Sequence, residues 1–225
     1  MRSYTLIHQL ISMVEDFEKR NEEKELSMQD FAGFFMTRMQ ESPEQVIAFD
    51  ERFGSQEDRA QQMAFQVDNT IGRLFIYLSR YAKSYIKKAL EGTPLQTAED
   101  FTCLAILLTH DHLSKSELIT RNIQEKTSGT EVIRRLLAGG LAAQWDDEND
   151  KRGKRISITE KGKELLYRVF EDMNFVGKMI SGNLTPPEKL TLQYLLQKLE
   201  SFHYNLHETK SISGKDDLKL IAGAL

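Results

Sequence analysis

The residues of this chain that could do chemistry are cations and hydroxyls. Lys151, Arg152, Lys154 and Arg155 place four cations within five residues, and Ser128, Thr130, Glu131, Arg134 and Arg135 form a second set upstream. Ammonium and guanidinium groups on a short segment suit phosphate oxygens, and Arg, Ser and Thr on a helix suit base edges. Catalytic chemistry has less to work with, since the sequence holds no GxGxxG, P-loop, GxSxG, HExxH or CxxC pattern. Asp146 and Asp147 are adjacent carboxylates, but on a charged loop they lack the desolvation that raises an acid's pKa. No enzymatic activity, cofactor or bound metal is therefore expected. His203 and His207 have the i, i+4 spacing of a shared metal, and His110 with His112 offers another pair. Neither pair brings a cysteine or a carboxylate signature, so a surface or subunit-interface role is expected for both. Cys103, the single cysteine, lies in an apolar run and is expected to be buried and inert. It has no partner for an internal disulfide, which agrees with a reducing compartment.

The elements that must position these groups are marked by caps. Ser42-Pro43-Glu44-Gln45 and Thr185-Pro186-Pro187-Glu188 each put a hydroxyl at N-cap, proline at N1 and Glu or Gln at N3. Further helix starts are predicted at Ser27, Thr97 and Ser114, each followed by an acid that complements the helix dipole. Apolar residues at helical spacing fill two of the helices: Leu6, Ile7, Leu10, Ile11, Met13, Val14 and Phe17, then Ile71, Leu74, Phe75, Leu78, Tyr81, Ala82 and Tyr85. Phe101, Leu104, Ala105, Leu107 and Leu108 fit a buried helix. From Ser114 the order is a short helix, a turn, a second helix over Lys126 to Ala138, then Gly139-Gly140, whose glycines end it through positive φ. Val132, Ile133, Leu136 and Leu137 make its packing face. Leu141–Trp145 and Arg155–Ile158 then flank the charged tip Asp146–Gly153, which predicts a two-stranded hairpin. Trp145 is expected to cover the hairpin base against the core, and the last dozen residues to fray.

Composition agrees with a globular chain: 225 residues, 40% hydrophobic and 28% charged. The net charge of -4 hides an asymmetry, because residues 1–60 carry 7 basic and 13 acidic side chains whereas residues 113–163 carry 11 and 8. Phosphate contact follows the local field, so that basic island keeps DNA binding open. Uncharged stretches such as Phe101–His110 fall short of the ~20 apolar residues of a bilayer-spanning helix. Glu15, Asp16 and Glu18 interrupt any apolar leader, so no membrane association and a cytoplasmic location are expected.

Helix, turn, helix, hairpin is the order of a winged helix-turn-helix. Asp150-Lys151-Arg152-Gly153 with Ile156-Ser157-Ile158-Thr159-Glu160-Lys161-Gly162 resembles the wing signature of MarR-type transcriptional regulators. The resemblance extends to Ile71-Gly72-Arg73-Leu74, Leu118, Thr130, Arg135-Leu136 and Gly140-Leu141, and covers roughly residues 66–207. It implies a homodimer formed through the first and last family helices, here about Val67–Leu90 and Pro187–His207, with ligand-responsive control of transcription. Two features depart from it. Glu131 follows Thr130 where the family often has arginine, and a glutamate there repels phosphate but accepts from cytosine N4. The acidic segment Met1–Gln62 is not required by the family core; an autoinhibitory cover for the wing and a pair of helices widening the dimer interface are both open. Arg134 and Arg135 project about 100° apart on a helix. Arg134 is the better groove candidate, and Arg135, which matches a more structural arginine of the family, serves either an ion pair within the domain or a DNA contact.

These observations predict a mostly α fold with a small β-hairpin wing, a winged helix-turn-helix with a helical dimerisation region. The segments are an acidic helical extension (1–62), a long dimerisation helix (63–95), the DNA-binding domain (96–163), C-terminal dimerisation helices (164–210) and a tail (211–225). The expected partners are double-stranded DNA, a second copy of the chain and a small-molecule effector. The DNA-binding set is Ser128, Thr130, Glu131, Arg134 and Arg135 on the recognition helix with Lys151, Arg152, Lys154 and Arg155 on the wing. The alternative from another class is a winged-helix protein-interaction module without specific DNA binding, and salt dependence separates the two.

Overall fold

A computed structural model describes residues 2–21, 27–40, 52, 63, 66–147 and 153–225. They fall in two compact units, Met1–Thr70 with Thr185–Phe202, and Ile71–Leu184 with His203–Leu225. The helix start expected at Ser42-Pro43-Glu44-Gln45, and Lys151 and Arg152 of the hairpin tip, lie outside the described residues.

In the first unit, α1 (Arg2–Arg20) and α2 (Met28–Gln40) pack through aromatic rings. Phe17 is buried, with its ring centroid 5.6 Å from that of Phe31 and 5.3 Å from that of Phe34. The aromatic stripe of α2 thus packs inward, while Leu6, Ile7 and Ile11 of α1 remain exposed. Ser27 caps α2 as its sequence predicts, its hydroxyl oxygen accepting from the Asp30 amide at 3.1 Å.

The second unit contains the winged helix. Its elements run α3 (Val67–Ala89, from Ile71 onward), α4 (Ala98–Leu108), β1 (Leu113–Ser114), α5 (Lys115–Arg121), α6 (Lys126–Ala138), β2 (Ala142–Asp146), β3 (Lys154–Ile158) and α7 (Glu160–Ser181). Leu104, Leu107, Leu118, Leu141 and Leu166 are fully enclosed at its centre, joined by Val132, Ile133 and Leu136 from α6. Capping boxes open two of the helices. Thr97 accepts from the Asp100 amide, and Ser114 accepts from the Glu117 amide at 3.2 Å while Glu117 accepts from the Ser114 amide at 2.7 Å. After α7 in the chain come α8 (Pro186–Glu208), which belongs to the first unit as far as Phe202 and at whose start Thr185 donates to Glu188 from both its amide and its hydroxyl at 2.7 Å, and α9 (Lys215–Ala222) of the second unit.

Three sequence expectations are corrected. The sheet has three strands in the order β1-β3-β2, all antiparallel, because Leu113 pairs with Ile156 on the free edge of the hairpin. Two residues are too short a strand to leave an alternating pattern. The end of the chain does not fray: Asp217 accepts from the Ser213 and Gly214 amides at 2.9 and 3.0 Å and starts α9. That cap sits on a glycine, so a search for a hydroxyl at N-cap passes over it. Of the two glycines after α6, only Gly140 has positive φ (+67°), while Gly139 stays right-handed at -75°.

The join between α6 and α7 explains part of the wing signature. Lys161 Nζ donates to the Gly139 carbonyl and Thr159 Oγ1 to that of Gly140, both at 2.8 Å, which satisfies carbonyls left open at the end of α6. Gly162 then passes so close to Leu141 that a Cβ would lie 2.2 Å from its carbonyl oxygen. Gly162→Ala is expected to lower the unfolding free energy by about 1–3 kcal/mol. Gly139→Ala, whose Cβ meets nothing nearer than 3.4 Å, should barely move the urea midpoint, and equilibrium unfolding of both variants checks the contrast.

Candidate nucleic-acid interface

Helix α6 is the second helix of the helix-turn-helix, and its two faces are sharply divided. Gly129, Val132, Ile133 and Leu136 are buried, whereas Lys126, Thr127, Ser128, Glu131 and Arg134 are exposed and Thr130 is half-buried. Gly129 permits the close crossing with α5, because a Cβ there would stand 2.7 Å from Ile119 Cγ1. The exposed positions 127, 131 and 134 recur at helical spacing, so Thr127, Glu131 and Arg134 share one solvent-facing stripe. Thr127 is absent from the sequence-derived set; its hydroxyl gives no signal until the buried face fixes which way the helix is turned.

Arg135 serves the fold. Its Nη2 and Nε donate to Asp100 Oδ1 at 2.5 and 3.2 Å, and its side chain is 20% exposed against 1% for Asp100. Asp100 Oδ2 accepts from the Gln96 and Thr97 amides at 2.8 and 3.1 Å. One buried carboxylate therefore caps α4 and clamps α6 at the same time. The ion pair within the domain, one of the two roles open for Arg135 in the sequence, is therefore formed.

Arg134 lies on the outer stripe and is held by its own helix. Its Nε donates to Glu131 Oε2 at 2.8 Å and its Nη2 to Oε1 at 2.6 Å. The Arg134 hydrogen bond holds the Glu131 carboxyl below the usual carboxylate range, and the same contact raises the Arg134 guanidinium. Because the carboxyl is depressed, the pair is intact above the ordinary carboxylate pKa and dissolves as pH falls through the lowered value. Ser128 donates to the Glu125 carbonyl at 3.0 Å.

On the hairpin, the described cations are also paired. Lys154 contacts Asp146 directly across the strands, and Arg155 Nε donates to Asp147 Oδ2 at 2.6 Å. Arg155 Nη1 reaches Glu117 Oε2 at 3.5 Å, which ties β3 to α5. Trp145 does not cover the core as expected: it is 43% exposed and packs edge-on to His112 with ring centroids 5.9 Å apart. Along β2, an edge strand of the sheet, only Ala142 is buried, whereas Ile156 of the central strand β3, paired with Gln144, is enclosed in the core. His110 is hydrogen-bonded to the Ile106 carbonyl at 2.9 Å and His207 to that of Thr120 at 3.2 Å. Among the described residues, no group of three or more His, Cys, Asp or Glu is placed to hold a metal, and no helix is long and apolar enough to cross a membrane. Cys103 is 1% exposed, with burial and then the Asp100 charge pushing its thiol up to about 12.

An open cleft of about 690 Å³ lies beside the clamp, lined by Thr97, Glu99, Asn122, Ile123, Ser128 and Arg135 among others. Asn122 organises its floor, donating to the Glu99 carbonyl at 3.1 Å and accepting from Thr102 Oγ1 at 2.6 Å. Ile123, in the turn between α5 and α6, has φ +49° and is 61% exposed. A β-branched residue in the left-handed region stores strain, and periodicity gives no warning of it.

No family model matches the chain. Over 106 residues it is 27% identical to the HTH-type transcriptional repressor NicR of Pseudomonas putida, a match spanning 47% of this chain and 67% of the repressor. A MarR protein from Peptoclostridium difficile superposes with a TM-score of 0.58 at 26% identity, covering 64% of this chain and 94% of that one. BpsR of Bordetella bronchiseptica, whose DNA binding is regulated by 6-hydroxynicotinic acid, gives 0.55 at 23% identity over 58% of this chain and 98% of its own. A mutant of E. coli MarR in complex with operator DNA gives 0.52 at 23% identity, over 60% and 98%. The last two share the fold. The clamp itself is open to test. Asp100→Ala is expected to cost about 3 kcal/mol or more, the scale of a broken buried pair. Asp100→Asn should cost less, because its amide oxygen still accepts from Gln96 and Thr97. Urea unfolding checks both, and a cost for Asp100→Ala no larger than that of a surface pair, about 0–1 kcal/mol, would remove the clamp from its structural role.

Proposed function

We propose that this chain, a MarR-type winged-helix protein, is a sequence-specific DNA-binding transcriptional repressor that acts as a homodimer on a pseudo-palindromic site and answers to a small ligand. The observation that carries the reading is α6, a helix buried on one face, clamped to the core through Arg135 and Asp100, and presenting Thr127, Glu131 and Arg134 outward. Those are the residue types and the geometry that read base edges in a major groove. The hairpin carrying Lys154 and Arg155, with Lys151 and Arg152 at its tip in the sequence, supplies the cations for phosphate or minor-groove contact. Similarity to the repressor NicR, and a fold shared with a regulator bound to operator DNA, support the same reading.

The dimer is supported by apolar stripes that the described chain leaves uncovered. No residue of α3 or of α8 is buried, although Leu74, Phe75 and Leu78 line the first and Leu195 and Leu199 the second. Apolar surface of this extent on two long helices marks an interaction face. Two recognition helices enter successive major grooves when they sit about 34–36 Å apart. A ligand that prefers another spacing lowers DNA affinity by binding the two arrangements unequally. The cleft beside Arg135 is the candidate seat for that ligand. The function needs no catalytic step.

Fluorescence anisotropy of the full chain against a specific duplex tests this. Affinity is expected to fall about 10³-fold or more between 50 and 200 mM salt if six to ten phosphates are contacted, and Arg152→Ala should reduce the salt slope by about one. Binding that ignores both sequence and salt would leave the interaction-module reading in its place.

A further inference from the structure

We propose that Glu131 and Arg134 act as one reading unit, in which the carboxylate fixes the guanidinium so that its open edge reads guanine; the inference rests on the DNA-binding reading above. The geometry is specific. Glu131 takes Nε through Oε2 and Nη2 through Oε1, so the Nε–Nη2 edge of Arg134 is fully occupied. What remains is the Nη1–Nη2 end, a fork of two near-parallel N–H donors on a side chain that is 67% exposed. In the major groove only guanine sets two acceptors, O6 and N7, side by side. Adenine pairs an acceptor with a donor, cytosine offers a donor, and thymine offers one acceptor beside a methyl group.

Held by the carboxylate, the guanidinium has its direction set before it meets DNA. Glu131 is itself braced from the core side, since Arg135 Nη1 stands 3.7 Å from Oε1 and Arg135 is fixed by buried Asp100. A chain of alternating charge therefore runs from Asp100 through Arg135 and Glu131 to Arg134. In this reading Glu131 acts on Arg134 and not on cytosine, since both of its oxygens carry Arg134 N–H groups. Glu131 is a positioning residue, and Arg134 is the residue that touches the base.

The test uses the full chain and a pool of duplexes with a randomised centre. Wild-type protein is expected to enrich a site holding a guanine in each half, and replacing that base by 7-deazaguanine, which lacks the N7 acceptor, should weaken binding. Arg134→Ala should lose the preference at that position, about 5- to 150-fold for a bidentate pair. Arg134→Lys should lose it too while keeping the salt slope, since an ammonium is a point charge. Glu131→Ala separates positioning from bulk charge by shifting two affinities in opposite directions. Binding to random duplex should tighten as a phosphate-repelling carboxylate is removed, while preference for the guanine falls several-fold. If Glu131→Ala tightens binding to selected and random duplexes alike, or if Arg134→Ala enriches the wild-type site, the proposal is overturned. Failure of the wild-type chain to enrich any sequence would instead sink the DNA-binding reading, and this inference with it.

Discussion

Asp100 is the point on which the geometry of the winged helix turns. Its two oxygens accept five hydrogen bonds, two from the amides that open α4 and three from the Arg135 guanidinium on α6, whose Nε is shared between them. An almost fully buried carboxylate is tolerable only when saturated in this way. Apolar packing by Val132, Ile133 and Leu136 draws α6 onto the core but has little directional preference. The forked ion pair is directional. It joins residues 35 positions apart and sets the rotation of the recognition helix, and therefore which side chains face outward.

The same chemistry recurs with decreasing burial toward the surface. Arg155 is held by Asp147 and Glu117, Lys154 by Asp146, Lys163 by Glu160 and Arg134 by Glu131. Cations already paired to carboxylates attract phosphate less strongly than the excess of 11 basic over 8 acidic residues in segment 113–163 suggests. In the proposed DNA-binding reading, affinity for arbitrary duplex, which is mostly a counterion effect, is damped by this pairing. Discrimination then falls on the few donors whose directions are set, because held groups lose less freedom on binding than mobile ones. Pairing thus lowers non-specific attraction and raises geometric demand together.

How much of this was legible in the sequence depended on range. Helix α6 was placed at Lys126–Ala138 from its glycines and apolar spacing alone, and the caps at Thr97, Ser114 and Thr185 were readable because N-cap chemistry is local. Arg135 could be narrowed to two roles, but its partner lies on another helix, and no local pattern marks Asp100 as anything beyond a capping residue. The wing signature was recognisable without its cause. Gly162 is needed for the approach to Leu141, and that approach exists only after the sheet and α7 have assembled. Trp145 departs from its sequence expectation because aromatic character predicts burial on average, whereas β2 is an edge strand whose residues beyond Ala142 are exposed. The short β1 strand and the strained Ile123 turn were invisible for the same reason, each being imposed by tertiary packing.

The position of the cleft gives the clamp a second consequence. Its lining includes Arg135 and Glu131, two members of the charge chain that ends at Arg134. A ligand carrying an anionic or strongly accepting group in that cleft competes with Asp100 and Glu131 for the Arg135 donors, whereas an apolar ligand leaves them in place. Only the first kind interacts differently with the clamped and released arrangements, and only differential interaction shifts an equilibrium. To carry a population from 1:99 to 99:1 the difference must reach about 10⁴-fold. Breaking charge-assisted hydrogen bonds to a buried carboxylate costs roughly 3–5 kcal/mol, which contacts made by the ligand must offset before any such shift begins. In the proposed ligand response, the contact that orients α6 is therefore also the one whose loss the ligand has to offset.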